Sequence, residues 1–139
     1  MIYTSQCDKI SDMKNSRDRS IFINHTNHSS DKWGTGQREA AKEYGDIVDI
    51  PFPSVDPHFG TEEVYELAKA EFNKIMEYDP CAVLCQGEFV YVCKMAELLK
   101  NAGVKVLAAC SDRVVTESVD ENGRDVKTAE FTFIRFREF

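Results

Sequence analysis

Four short, mostly apolar runs, at residues 21–23, 47–50, 81–85 and 104–109, are separated by longer stretches with helical spacing. This alternation constrains the fold more than any other feature of the chain. Short continuous apolar runs suit strands buried on both faces, and such strands occur in parallel sheets covered by helices. Residues 37–44 read as a short helix, with Gly45 placed as its C′ residue. Residues 61–76 carry Val64, Leu67, Ala68, Phe72, Ile75 and Met76 at steps of three and four. Thr61 opens that stretch as an N-cap, with Glu62 and Glu63 answering the helix dipole. Residues 88–102 repeat the pattern with Phe89, Val92, Cys93, Ala96 and Leu99, and Gly103 closes it. Beyond residue 109, residues 113–119 and 126–136 alternate like strands about a turn at Asp120, Asn122 and Gly123. The order β-α-β-α-β-α-β plus a hairpin predicts an α/β chain. Its expected form is a three-layer α/β/α, Rossmann-like domain with a mainly parallel sheet and a C-terminal β-hairpin. That single domain is expected over residues 21–139, after a loose N-terminal arm at residues 1–20.

Composition narrows the function classes. The 139 residues suffice for one domain with a real core. No apolar run nears the roughly 20 residues of a membrane span, and the first 20 residues lack the apolar stretch of a secretory signal. The net charge of −7 disfavours broad binding to long nucleic acid, which rests on many Lys and Arg contacts to phosphate. It leaves room for a small phosphorylated ligand in a local pocket. The five cysteines form no CxxC pair and mostly sit in apolar stretches, so a reduced, cytoplasmic protein without a disulfide scaffold is expected. Clustered Cys and His at zinc spacing are missing, and no metal or cofactor is called for.

Ligands of open α/β sheets bind beyond the carboxyl ends of the strands. The loop after the first run holds Asn24, His25, Thr26, Asn27, His28, Ser29 and Trp33. His25 and His28 can exchange protons near neutral pH, and Trp33 can stack on a base. Equally, the Asn and Ser residues can cap the next helix while Trp33 packs on the sheet. After the third run, Gln86, Gly87 and Glu88 precede a helix whose free N–H groups attract anions. The plainer alternative is a tight turn with Glu88 at the helix dipole. After the fourth run, Ser111 and Arg113 can bind phosphate, or Asp112 and Arg113 can form a surface pair. The aromatics of the last strand, Phe131 and Phe133 on one face and Phe136 on the other, read best as sheet packing. Neither GxGxxG nor GxxxxGK[ST] is present.

Four blocks carry a resemblance to a known family. They are residues 23–33, residues 47–53, residues 86–89 and the ending 133–138. In this order they resemble small Rossmann-like CRISPR-associated proteins of type III loci, over about residues 21–139. The resemblance implies a nucleotide-binding protein of antiviral defence, a ring nuclease or sensor for cyclic oligoadenylate, built as a homodimer. As a metal-independent ring nuclease it would direct a ribose 2′-OH at the adjacent phosphate. Asn24, His25 and His28 would then be the catalytic candidates. Asn27, Ser29, Trp33, Gln86, Gly87, Glu88, Ser111 and Arg113 would line the ligand. The alternatives are a non-catalytic nucleotide sensor on the same pocket, or a small nucleoside or nucleotide hydrolase using Glu88 or Asp112.

Overall fold

Strand β1 (Ile21–His25) sits mid-sheet because all of its residues but the first are buried. In the computed structural model, which describes residues 20–139, it pairs in parallel with β2 (Asp46–Asp49) and with β3 (Ala82–Cys85). β3 pairs in parallel with β4 (Lys105–Val119), and β4 pairs antiparallel with β5 (Asp125–Glu138). The sheet order is β2-β1-β3-β4-β5. The mostly parallel sheet and the C-terminal hairpin agree with the apolar pattern. Apart from Ser20, the expected N-terminal arm lies outside the described residues.

Three helices connect the parallel strands: α1 (Thr35–Lys42), α2 (Thr61–Met76) and α3 (Phe89–Asn101). The pleat divides the core between the two faces of the sheet. Ile23, Val83 and Val106 point to one side and meet Val64, Ala68 and Ile75 of α2 and Met95 and Leu99 of α3. Phe22, Ala82, Leu84 and Leu107 point to the other and meet Ala41 of α1, with Trp33, Tyr44 and Phe136 around them. Each large side chain buried this way contributes roughly 1.5–3 kcal/mol. Glu88 caps α3, its carboxylate accepting from the backbone N–H of Val90 (3.1 Å) and Tyr91 (2.8 Å). Gly45 turns α1 into β2 against the residue before β1; a Cβ there would lie 2.2 Å from the Ser20 carbonyl oxygen.

Three expectations change. Residues 110–113 are not a loop: β4 runs unbroken from Lys105 to Val119, so Ser111 and Arg113 stand on a strand. Extended polar residues prolong the strand because β5 supplies a partner from Leu107 to Val119. The register also shifts at Cys110 and Ser111, from Cys110↔Arg135 to Ser111↔Phe133, which leaves Ile134 as an extra residue. The bulge brings Phe133 and Phe136 together, with ring centroids 4.9 Å apart, rather than to opposite faces. Cys85, Cys93 and Cys110 are free thiols, whereas Cys81 takes part in a disulfide, against the all-reduced expectation.

Candidate functional site

β1 and β3 are neighbours, but the chain leaves them in opposite directions, toward β2 and toward β4. Loops that diverge from adjacent strands open a crevice at their carboxyl ends. A cleft of about 880 Å³ lies there. Thr26, Asn27 and His28 contribute from the end of β1, and Lys32, Trp33 and Gln37 from the approach to α1 and its first turn. Leu84, Gln86 and Gly87 come from β3 and its loop, and Ser111, Phe131 and Phe133 from the β4–β5 hairpin. Among the described residues that line the cleft, none is an aspartate or glutamate.

The β1 loop is fixed by a side-chain network. Asn24 Nδ2 donates to the His28 carbonyl and to Asp49 Oδ1, both at 2.8 Å, and Asn24 Oδ1 accepts from Thr26 Oγ1 at 2.8 Å. Asp49 also accepts from the Ser30 N–H (3.2 Å) and the Ser30 hydroxyl (2.9 Å). Register explains the meeting: Asn24 and Asp49 are paired positions of β1 and β2. The network spends Asn24 on holding the loop and leaves Asn27 and His28 exposed on the rim. Trp33 both lines the cleft and packs edge-on against Phe22, centroids 6.2 Å apart. On the β3 side, Gln86 Oε1 accepts from the Ala109 N–H at 3.0 Å, tying that loop to β4.

His25 belongs to the other face of the sheet. Its Nδ1 lies 2.7 Å from the Ile50 carbonyl, which can only accept, so Nδ1 carries the proton. Nε2 then accepts from the Tyr91 hydroxyl at 2.7 Å. Burial holds the His25 pKa below 6.5, only partly offset by the Ile50 carbonyl and the Glu71 charge. Burial likewise pushes the Cys85 thiol up to about 12 and raises the Tyr91 phenol. Phe52 packs against both rings, 5.5 Å from His25 and 4.7 Å from Tyr91. Its ring lies so near Gly87 that a Cβ there would sit 2.4 Å from Cζ. The small residue at position 87 therefore serves an aromatic ring of the chain itself.

Of the expected residues, the cleft gathers Asn27, His28, Trp33, Gln86, Gly87 and Ser111. Asn24, His25, Ser29, Glu88 and Arg113 are not among its lining residues. Asn24 and His25 are buried, Ser29 donates to Asp31 and Glu88 caps a helix. Arg113 and Asp112 stand on the exposed part of β4. Sequence reasoning passed over Lys32, Gln37 and the loop-holding Asp49. A carboxylate ending a strand beside an asparagine-ended strand was the available signal for Asp49. Phe131 and Phe133 were read as sheet packing, and they form a cleft wall.

No group of three or more side chains suited to a metal gathers among the described residues, and none of their helices is long and apolar enough to cross a membrane. The Uncharacterized protein MJ1673 family model matches residues 20–137 of the chain. No curated protein and no solved structure matches. The chain belongs to the MJ1673 family.

Proposed function

We propose that this MJ1673-family chain binds a small nucleotide in the cleft between the ends of β1 and β3. The observation that carries the reading is the cleft's composition. In a chain of net charge −7, the cleft offers a lysine, a histidine, three aromatic rings and side-chain amides, and no carboxylate among the described residues. In this reading Lys32 would take the phosphate, Trp33, Phe131 and Phe133 would stack on a base, and Asn27, Gln37 and Gln86 would bond ribose and base edges, all of them cleft-lining residues. The site lies at the carboxyl edge where a doubly wound sheet takes its ligands, and the helices on both faces support a three-layer, Rossmann-like arrangement. The resemblance to type III CRISPR-associated proteins makes cyclic oligoadenylate the first ligand to try and a cytoplasmic defence role the setting.

Ring cleavage is a second reading, favoured by one observation: His28 is exposed on the cleft rim. There it can take the proton of a ribose 2′-OH. The oxygen attacks the adjacent phosphorus, and the 5′-oxygen leaves and gains a proton. Lys32 and Ser111 would steady the phosphate. His25 and Asn24, committed to buried hydrogen bonds, take no part. Glu88 holds a helix end, which disfavours the hydrolase alternative based on it.

Trp33 is the chain's single tryptophan and lines the cleft, so its fluorescence reports occupancy. Titration with cyclic tetra-adenylate, AMP and ATP is expected to quench it saturably, and Lys32→Ala to weaken binding about tenfold. Chromatography of the incubated cyclic ligand separates the readings. Linear products lost in His28→Ala support the nuclease, and binding without products supports a sensor. No fluorescence change with any nucleotide at millimolar concentration overturns the proposal.

A further inference from the structure

Among the described residues that line the cleft, Asn27, Gln37 and Gln86 carry side-chain amides, and the chain fixes the orientation of Gln86 alone. Gln86 follows Cys85, the last residue of β3, and its Oε1 accepts from the Ala109 N–H at 3.0 Å. A backbone N–H only donates, so turning the amide over would set donor against donor. The oxygen therefore stays on β4, and Nε2 keeps two hydrogens without a partner among the described residues. Asn27 and Gln37 enter no side-chain hydrogen bond among the described residues, so their amides turn to suit a donor or an acceptor.

Gln86 also stands at the foot of the aromatic wall. Ala109 lies two residues from Ser111 on the same face of β4, and Ser111 pairs with Phe133 across the hairpin. A base stacked on Phe131 and Phe133 brings an edge to this amide. We propose that Gln86 selects the base, and that the preferred ligand is a nucleotide of a 6-oxopurine, guanine or hypoxanthine, over one of adenine. This deepens the nucleotide reading of the cleft and rests on it. A 6-oxopurine presents two acceptors side by side, N7 and O6, where adenine presents the acceptor N7 beside the donor N6. A glutamine reads adenine by offering its oxygen to N6 and its nitrogen to N7 together. Gln86 has its oxygen turned to Ala109 and offers hydrogens alone. The amino group of adenine then faces a donor, and the carbonyl of a 6-oxopurine faces its complement. With no carboxylate among the described lining residues, the amino group also lacks the strongest acceptor a side chain could supply. Adenylates, cyclic ones included, therefore rank below their inosine counterparts.

Equilibrium dialysis of the full chain against IMP and AMP tests the proposal, since the two differ only at ring position 6 and in the N1 proton that goes with it. IMP is expected to bind at least about tenfold tighter than AMP. Gln86→Glu keeps an acceptor for the Ala109 N–H and exchanges the free donors for an acceptor. Its added charge should weaken both ligands, and the ratio should reverse in favour of AMP. Gln86→Leu should bring the two affinities within about twofold of each other. Circular dichroism and melting establish that the variants are folded, and the ratio in Gln86→Glu decides if Gln86→Leu is not. AMP binding as tightly as IMP overturns the inference and leaves the nucleotide reading standing. So does an IMP preference that persists in Gln86→Glu. Binding of neither at millimolar concentration overturns it too, and the adenylate titrations above then decide the nucleotide reading separately.

Discussion

His25 and His28 stand three residues apart and end in opposite environments. His25 is fully buried with both ring nitrogens bonded, and His28 is exposed on the cleft rim. The side of the strand makes the difference. β1 runs through His25 with alternate side chains on alternate faces, so Ile23 and His25 point toward α2 and α3 while Phe22 and Asn24 point toward α1. After His25 the backbone turns, and Thr26 Oγ1 accepts from the His28 N–H at 3.2 Å. A polar run behind a buried strand therefore contains two kinds of residue. Some are consumed in building the loop, and the others are what the loop presents.

The largest effect that tests this contrast is loss of the buried ring. His25→Ala leaves the Tyr91 hydroxyl and the Ile50 carbonyl without their partner and opens a void beside Phe52. A cost of about 2–4 kcal/mol in denaturant unfolding is expected. His28→Ala should stay within about 0.5 kcal/mol of wild type. Equal losses would erase the distinction between the two histidines.

A smaller effect separates ligand space from packing space at Gly87. The ring of Phe52 fills the place of a Cβ, and that ring is hemmed in by His25 and Tyr91. Gly87→Ala must displace it, at an expected cost of about 1–3 kcal/mol. The double variant Gly87→Ala with Phe52→Leu should cost less than the two single losses added together, since the overlap goes with the ring. Additive losses would mean that the glycine is needed for some other reason.

Much of this contrast could be read from the chain, for identifiable reasons. Continuous apolar runs and three-four spacing are local signals, and they placed the parallel strands and the helices within a few residues. The cleft followed from the rule that loops of adjacent strands diverge at the carboxyl edge. Facing was harder. Asn24 and His25 have the chemistry of site residues, and only their burial and their partners, 25 or more positions away, show them to be structural. The length of β4 was hidden because Ser111, Asp112 and Arg113 resemble a loop until β5 pairs with them. The aromatic wall was hidden by the bulge opposite Cys110 and Ser111, which changes the facing of Phe133 relative to Phe136.

The smallest effect is a pH dependence that belongs to His25. Its pKa in the folded chain is held below 6.5, so above pH 6.5 folded and unfolded chains are both neutral there and the full stability is present. As pH falls below 6.5, the unfolded chain takes the proton first, and stability drops toward the lowered folded pKa. The slope for one proton is at most about 1.4 kcal/mol per pH unit. The depressed carboxyls of Asp31 and Asp56 act near and below their ordinary 3.8, so they leave the window just under pH 6.5 to the histidine. Glu71 carries negative charge toward His25, and Cys85 and Tyr91 stay neutral through this range, their pKa values being raised. Unfolding free energies from pH 7.5 to 5 should decline in the wild type and in His28→Ala. They should flatten in His25→Gln, whose amide can donate and accept hydrogen bonds but does not titrate. An undiminished slope in His25→Gln would place the titrating group elsewhere and remove the buried neutral imidazole from the account of the two histidines.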